Sequence, residues 1–211
     1  MGDSWLQRLV IRGPARAVAA FRAAAAGKAK PEYATMKPVH RTQLLSFEKL
    51  REQLPPRLAR RHGGDLEEPW DLVVDRARRF KDCSVELTYK FQLAGFEPED
   101  LIVDVSKVHP QLCFVVGCVA PNVDEQSSRL IHAGRSWRWR LPASRAEAIR
   151  TRLVPEDTGH NSDELFWALA EADWAMMDEV VAHWQPKVEA LVARTVGASR
   201  SPRRRRRLPG R

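Results

Sequence analysis

The sequence predicts an α+β fold: an antiparallel sheet with two helices on one face, followed by a C-terminal helical extension. One segment alternates apolar and polar residues with a period of two, as a strand with one buried face does. Two segments with helical periodicity separate strand-like runs, and helical patterns dominate the end of the chain. The chain has 211 residues, of which 44% are hydrophobic, so it can bury a core of its own.

The chain opens with a predicted strand and helix. Residues 6–12 form a short β-prone run that Gly13-Pro14 ends, because proline fixes its own backbone angle and donates no hydrogen bond. Residues 15–26 are mostly alanine, with Val18 and Phe21 three positions apart, and this composition predicts a helix.

The next part of the chain allows more than one interpretation. Residues 28–43 are polar and contain prolines, which indicates a loop. Residues 44–50 fit a second strand, although the periodicity of a helix fits them nearly as well. Residues 51–70 form a connecting region, and we predict that 43–84 is an irregular insertion.

The clearest strand covers residues 85–93. Its apolar residues alternate strictly with polar ones: Val85, Leu87, Tyr89, Phe91 and Leu93. A helix is predicted over 98–108, because Pro98 is followed by acidic residues that favour a first turn. His109-Pro110 ends it, since the residue before a proline avoids the helical region.

Two further strands complete the predicted sheet. Residues 112–120 are apolar on both faces, as in a central strand, and residues 129–141 return beside them. The period of two places two tryptophans on one face of the last strand and two arginines on the other: Trp137 and Trp139, Arg138 and Arg140.

Beyond residue 142 the chain is predicted to be helical. Two residue pairs have the spacing of a capping box, which marks the start of a helix: Ser144 with Glu147, and Asn161 with Glu164. The helix that opens at Ser162 has an apolar stripe that should cover the sheet or a partner: Leu165, Leu169, Ala172, Met176, Val180 and Trp184. We expect Pro186 to kink or split this helix near Gln185.

The order of elements follows the split βαβ plan of ferredoxin-like domains, in which two helices cover one face of an antiparallel sheet. We therefore predict a ferredoxin-like domain over residues 1–142 and a helical extension over 143–197. Residues 198–211 are predicted to be a disordered, arginine-rich tail.

The excess of positive charge lies in that tail. The chain has 35 Lys+Arg and 27 Asp+Glu, a net charge of +8, but residues 200–211 hold seven arginines and no acid. A run of five arginines can neutralise phosphates of DNA or RNA, and the alternative is a terminus that is merely solvated. The candidate nucleic-acid-binding residues are Arg200, Arg203, Arg204, Arg205, Arg206 and Arg207 of the tail, with Arg138 and Arg140 of the last strand.

Arginine and tryptophan also alternate in residues 135–140, a mixture found on sheets that stack nucleic-acid bases. Two interpretations stay open. Either Trp137 and Trp139 belong to the core and leave Arg138 and Arg140 on an open face, or the tryptophans form an exposed stacking platform.

No pattern in the chain indicates catalysis. The phosphate-binding loop, the zinc-protease helix and the serine-hydrolase elbow are all missing from the sequence. Acids such as Asp100 and Asp104 are expected to be solvated, and we predict no enzyme, no metal and no cofactor. The three cysteines lack metal-binding spacing, which favours buried thiols in a cytoplasmic protein, and no apolar run reaches the roughly 20 residues that span a bilayer.

Three parts of the chain resemble a known family. Its opening is matched by Ser4-Trp5, the run 9–14 and the helix with Phe21. Its second strand is matched by residues 45–50, and the start of a later strand by residues 107–114. With these features, residues 4–141 resemble the YubB-type ferredoxin-like family of plasmids and phages. The family's Asn-Trp-Gly-Thr-Lys-Trp signature is replaced here by residues 71–80. The resemblance implies a ferredoxin-like fold and a mobile-element setting, but no activity.

Together these inferences predict a non-enzymatic, cytoplasmic accessory binding protein of a bacterial plasmid or phage-like element, with a basic tail that contacts nucleic acid. The alternative is a module for protein–protein interaction or homo-oligomerisation that uses the amphipathic C-terminal helix. No membrane partner is expected.

Overall fold

The computed structural model describes residues 5–27, 44–63, 66, 69–93, 98–120, 126–154 and 162–200. Along them the elements are β1 (Trp5–Pro14), α1 (Ala15–Ala24), β2 (Ala26–Gly27), β3 (Leu44–Leu45), α2 (Phe47–Glu52), α3 (Pro56–Ala59), a short 3-10 helix (Arg60–His62), β4 (Trp70–Val74), β5 (Arg78–Arg79), β6 (Ser84–Leu93), α4 (Glu99–Val108), β7 (Cys113–Val119), β8 (Gln126–His132), β9 (Arg135–Arg140), α5 (Ala143–Leu153), α6 (Ser162–Ala182) and α7 (Gln185–Arg200).

Seven of these strands form one antiparallel sheet, so the protein has a mixed α/β architecture. The strand order is β4-β6-β1-β7-β8-β9, and β5 pairs with β6 beside β4. Strand β1 is paired along its length with β6 on one side and β7 on the other, both antiparallel to it. Strands β6 and β7 therefore run parallel to each other, and α4 connects them across β1. The short strands β2 and β3 form a separate pair.

One face of the sheet packs against α1, α2 and α4. The main core lies in this layer, and its largest buried side chains are aromatic: Phe21, Phe47, Tyr89, Phe91 and Phe114. The five apolar residues of β6 point into this core, and the residues between them are half-buried on the other face. The predicted alternation of residues 85–93 is thus confirmed.

The other face of the sheet is partly covered by α6 and α7. Val10, Val115 and Leu130 of the sheet pack against Val188 and Val192 of α7. The predicted apolar stripe is confirmed at Ala172, Met176 and Val180 of α6 and at Trp184 just after it, all of which are buried, whereas Leu165 and Leu169 near the start of α6 are exposed. The sheet therefore lies between two helical layers, because a second apolar face requires a second cover.

The helix boundaries set by proline agree with the sequence prediction. Helix α4 starts after Pro98, has Glu99 and Asp100 in its first turn, and ends before His109. Helices α6 and α7 are separated at residues 183–184, immediately before Pro186. Proline cannot donate the backbone hydrogen bond that would continue the helix, which explains the break.

Residues 44–50 do not form the second strand of the primary prediction. After the bridge Leu44–Leu45 the chain enters α2, because the Ser46 hydroxyl accepts a hydrogen bond from the Lys49 backbone N–H at 3.1 Å and caps the helix. The helical alternative is therefore the correct one. The strand beside β6 is β4, which lies in the range predicted to be an irregular insertion.

Two other local predictions were wrong. Residues 129–141 are not one strand, because Ala133 and Gly134 adopt positive φ angles of 48° and 79° and turn the chain between β8 and β9. The capping box at Ser144 is not formed, since α5 already starts at Ala143 after Pro142. The box at Asn161 lies outside the described residues. Within them, no helix has the length and apolarity needed to cross a membrane.

Candidate functional site

The structure describes only two of the predicted nucleic-acid-binding side chains. Arg138 and Arg140 are exposed on β9, at the end of the sheet. Arg200 is the last residue of α7, and its side chain lies outside the described part, as do Arg203, Arg204, Arg205, Arg206 and Arg207. The two groups of arginines therefore remain a prediction from sequence.

Trp137 and Trp139 do not form a stacking platform. Both are half-buried on the face covered by α6 and α7. The ring of Trp139 stacks on that of His183, with centroids 4.1 Å apart, and the Lys187 ammonium lies 3.8 Å from the centre of the Trp137 ring. The interpretation in which the two tryptophans pack against the core is confirmed. Arg138 and Arg140 lie on the opposite face of the strand and are exposed.

A cleft lies between the sheet and the junction of α6 with α7. Its volume is about 410 Å³. The apolar part of its lining comes from Val10, Val115 and Cys113 of the sheet and from Val188 of α7. Polar side chains of β1 and β6 line the side formed by the sheet, because the period of two along each strand sends them to the face opposite the main core. Residues of α6, α7 and the segment between β4 and β6 complete the lining.

Strand register sets the order of these polar side chains. Arg8 lies opposite Lys90 and Arg12 lies opposite Glu86 in the pairing of β1 with β6. Opposite residues of an antiparallel pair are neighbours, about 5 Å apart. One side of the cleft therefore has two cations, Arg8 and Lys90, at one end and the oppositely charged pair Arg12 and Glu86 at the other, with Thr88 between them.

Most of the cations of this cleft already have anionic partners. Arg8 pairs with Asp178 of α6, and the Lys90 ammonium lies 3.1 Å from Oδ2 of Asp75. These ion pairs connect β1 to α6 and β6 to the segment after β4. They reduce the net charge of the cleft and fix the positions of its walls.

Arg12 is a structural cation at one end of the cleft. Its residue is only 3% exposed. Its guanidinium donates to Oγ of Ser84 at 3.2 Å and lies 3.4 Å from Oδ2 of Asp82 and 3.7 Å from Oε1 of Glu189. It also lies 3.6 Å from the centre of the Phe80 ring. A buried arginine with this many partners holds the chain in place and is not available to a ligand.

Glu86 is different from the other acids of the cleft. It is half-buried and makes no hydrogen bond or ion pair with the part of the chain that the structure describes. Burial raises the pKa of Glu86, and the nearby charges of Arg12 and Arg78 oppose that rise. Its carboxylate is therefore an acceptor that remains open to a ligand.

The thiol of Cys113, which also lines the cleft, is not a nucleophile. Burial raises the pKa of Cys113 to about 12, so the side chain is a neutral thiol at physiological pH. All three cysteines are free. Among the described residues, no three His, Cys, Asp or Glu side chains lie close enough together to hold a metal ion.

Four exposed cations lie on the strand edge beside the cleft. We call them the basic ridge: Arg76, Arg78, Arg79 and Lys81. Strand β5 brings them there, because Arg78 pairs in register with Glu86. The Arg78 guanidinium lies 4.8 Å from the centre of the Phe80 ring, and within the described residues none of the four forms an ion pair.

The sequence interpretation missed the basic ridge. Seven arginines lie in the tail, and the rest of the chain is nearly neutral in total, so that a local cluster of cations does not show in the net charge. The signal was nevertheless present, since four of the six residues 76–81 are basic.

The expectation that Asp104 is a solvated acid was wrong. It is only 2% exposed, and it accepts hydrogen bonds from Nε2 of His62 at 3.0 Å and from the Lys107 ammonium at 2.5 Å. Arg61 lies 3.5 Å away. This cluster joins α4 to the 3-10 helix on the face of the sheet opposite the cleft.

Comparisons with known proteins yield no assignment. The chain matches no family model, and searches of curated proteins and of solved structures also find no match. Inferences about function therefore depend on the residues of this chain.

Proposed function

We propose that the protein binds single-stranded nucleic acid through the basic ridge and is not an enzyme. The observation that carries this proposal is the placement of four exposed cations along one sheet edge, next to an open cleft, where they form no ion pair with the part of the chain that the structure describes. Arginine and lysine neutralise phosphates, and this contact supplies most of the sequence-independent affinity for nucleic acid.

Local charge matters more here than net charge. Without the tail arginines the chain is nearly neutral, but a ligand that approaches the β5 edge meets the field of the nearest side chains, since the Debye length is about 8 Å at physiological ionic strength. Three of the four ridge cations are arginines, whose planar guanidinium can bind a phosphate through two hydrogen bonds.

The arginine-rich tail fits the same function. Arg200 and the arginines at 203–207 would add phosphate contacts wherever the strand extends beyond the folded part. Arg138 and Arg140 lie at the opposite end of the sheet from β4, so we assign them no role in this contact.

A finer description of the fold belongs to this proposal. We interpret β4, β6, β1 and β7, with α1 and α4 on one face, as a ferredoxin-like unit to which β8 and β9 add two strands. The strand order and directions support this interpretation. Membership of the YubB-type family, a mobile-element setting and a cytoplasmic location are parts of the same proposal, and the free thiols are consistent with the last.

The experiment is a salt titration of oligonucleotide binding. We expect replacement of all four ridge residues by glutamine to weaken binding at least about tenfold and to lower the slope of log K against log salt by about 3, since each single-strand phosphate contact contributes about 0.7. Fluorescence anisotropy of a labelled single strand measures both quantities. Deletion of residues 200–211 should lower the slope further.

The matched control is glutamine at Arg16, Arg57, Arg152 and Arg194. These four are exposed and scattered, and their replacement changes the net charge by the same amount. We expect this variant to retain most of the affinity and slope. Equal losses in the two variants would show that only total charge matters, and the proposal would then be wrong.

A second candidate function rests on the first turns of α6. Its large apolar side chains are exposed there and form what we call the α6 patch: Leu165 at 43%, Phe166 at 63%, Trp167 at 69% and Leu169 at 45%. Exposed aromatic clusters mark interaction sites in soluble proteins. The patch therefore supports the alternative of a protein–protein interaction or self-association module.

A further inference from the structure

We propose that the cleft between the sheet and the α6–α7 junction binds one unstacked base of the strand whose phosphates contact the basic ridge. This inference rests on the proposed nucleic-acid binding and adds to it the part of the ligand that the cleft recognises. The base enters between the two layers, and Glu86 accepts hydrogen bonds from its N–H groups.

The size and lining of the cleft suit a base. A volume of about 410 Å³ lies within the range of about 300–1,000 Å³ that is usual for small-ligand sites. Val10, Val115 and Val188 supply an apolar surface for the flat ring. A paired base in a duplex cannot reach such a site, whereas a base of a single strand is free to leave its neighbours.

The charge of the cleft argues against a phosphate in the same place. Inside the cleft, Arg8 and Lys90 are paired with Asp178 and Asp75, and Arg12 is held by its own partners, so that among the lining cations Arg78 at the mouth is the one left for a phosphate. A phosphate there would have to displace carboxylates that are already well placed. A neutral ring with hydrogen-bond donors has no such cost, because it adds no charge to the site.

Glu86 determines which bases fit best. An ionised carboxylate only accepts hydrogen bonds, through two oxygens that lie side by side. Guanine presents two adjacent donors, the ring N1–H and the exocyclic N2 amine, which match that pair. Thymine has one ring N–H between two carbonyl oxygens, which the carboxylate repels. The site should therefore prefer guanine and disfavour thymine.

The ridge and the cleft are close enough to serve one nucleotide. Arg78 of the ridge and Glu86 of the cleft are opposite each other in the pairing of β5 with β6. Their side chains leave neighbouring positions of the sheet, so a phosphate on Arg78 places its own base near the mouth of the cleft. Phe80, under Arg78 and Arg12, forms part of that mouth.

The test compares oligothymidylates that carry guanine, hypoxanthine, thymine or an abasic sugar at one central position, with affinities measured by fluorescence anisotropy. We expect the guanine strand to bind at least about tenfold more tightly than the abasic strand. Hypoxanthine, which lacks the N2 amine, should lie between them. Equal affinities for guanine and abasic strands would overturn the inference.

Two variants test whether the preference for guanine arises in the cleft. Glu86→Gln should remove most of the difference between guanine and hypoxanthine, and Thr88→Leu should reduce the difference between guanine and abasic strands by filling the cleft. Thermal unfolding checks that each variant is folded. If folded Glu86→Gln retains the full preference for guanine, the inference is wrong about this residue and fails.

The ridge variant separates this inference from the proposed function. Loss of the four ridge cations should weaken all strands by a similar factor and leave the guanine preference unchanged. If no strand binds the wild-type protein, the proposed function itself fails and this inference with it. If guanosine monophosphate binds as tightly as the guanine strand, the ligand is a free nucleotide and the assignment to a strand is overturned.

Discussion

At the scale of single residues, Asp104 illustrates how a buried charge is held. Burial acts to raise its pKa, but the hydrogen bonds from Lys107 and His62 and the charges of Lys107 and Arg61 outweigh it, so that the pKa of Asp104 is lowered. An unfolded aspartate titrates near pH 3.9. The folded protein therefore binds the proton of this group less readily than the unfolded chain does.

This difference predicts a dependence of stability on pH. A lowered folded-state pKa contributes stability that is fully present above pH of about 4 and is lost as the pH falls through the folded-state pKa. We expect Asp104→Asn to lower the free energy of unfolding at neutral pH by about 2 kcal/mol, the value of charged hydrogen bonds, and the deficit to shrink on acidification. Urea unfolding at several pH values measures this.

Asp100→Asn is the control for that measurement. Asp100 lies in the first turn of the same helix but is exposed. Its replacement should change stability little, by a few tenths of a kcal/mol from the helix dipole. If the loss in the free energy of unfolding caused by Asp104→Asn were the same at neutral pH and below the folded-state pKa, the role of the carboxylate charge would be contradicted.

The same residue shows a limit of sequence analysis. Asp104 follows Asp100 at helical spacing and was expected to be solvated like it. Its partner His62 is 42 positions earlier in the chain, on an element that the sequence left unassigned. The hydrophobic periodicity and the composition of a sequence do not reveal such a contact. The contact depends on how α4 and the 3-10 helix are arranged in space.

At the scale of elements, a close contact between layers lies at Gly117 of β7. A Cβ atom there would lie 2.6 Å from Sδ of Met177 and 3.0 Å from Cγ2 of Val181, both on α6. The absence of a side chain thus allows α6 to approach the sheet. This approach also sets the depth of the cleft, which Val181 helps to line.

Gly117→Val should therefore destabilise the protein. Because the core is close-packed, the added methyl groups have to displace α6, and we expect a loss of about 1–3 kcal/mol in the free energy of unfolding. Gly197→Ala is the matched control, since nothing lies within 4 Å of its Cβ position in α7, and it should be neutral or stabilising by up to about 1 kcal/mol. Thermal or urea unfolding distinguishes the two, and equal effects would contradict the packing argument.

Elements with a strong local pattern were predictable, and those fixed by single residues were less so. Strand β6 and the break before Pro186 follow from periodicity and from the chemistry of proline. The strand prediction for residues 44–50 failed, because the Ser46 cap decided between two patterns of similar strength. The turn at Ala133-Gly134 was missed, because alternation continues on both sides of it.

At the scale of the whole molecule, the α6 patch predicts association. Four large apolar side chains in two helical turns are costly to expose, and a second copy or another protein would cover them. We expect light scattering to give a mass above that of one chain, and the double variant Phe166→Ser, Trp167→Ser to restore the mass of one chain.

Val73→Ser is the control, since Val73 is 45% exposed on a different element, β4. This variant should keep the wild-type mass. A wild-type protein that is strictly monomeric at high concentration would exclude self-association through the patch.

The candidate site combines what the sequence shows with what only the fold can supply. The arginines and the alternating polar residues of β6 are visible in the sequence. Their assembly into a ridge and a cleft requires the β5–β6 pairing and the position of α6 and α7. The sequence contains the charges, whereas tertiary packing determines which of them remain available to a ligand.

The position of β9 at the end of the sheet has one more consequence. A terminal strand offers unpaired backbone groups on which another chain can add a strand, and such growth leads to aggregation. Strand β9 carries three exposed arginines, Arg135, Arg138 and Arg140. A second copy that approached in register would bring like charges together, so we expect these side chains to oppose growth of the sheet through β9.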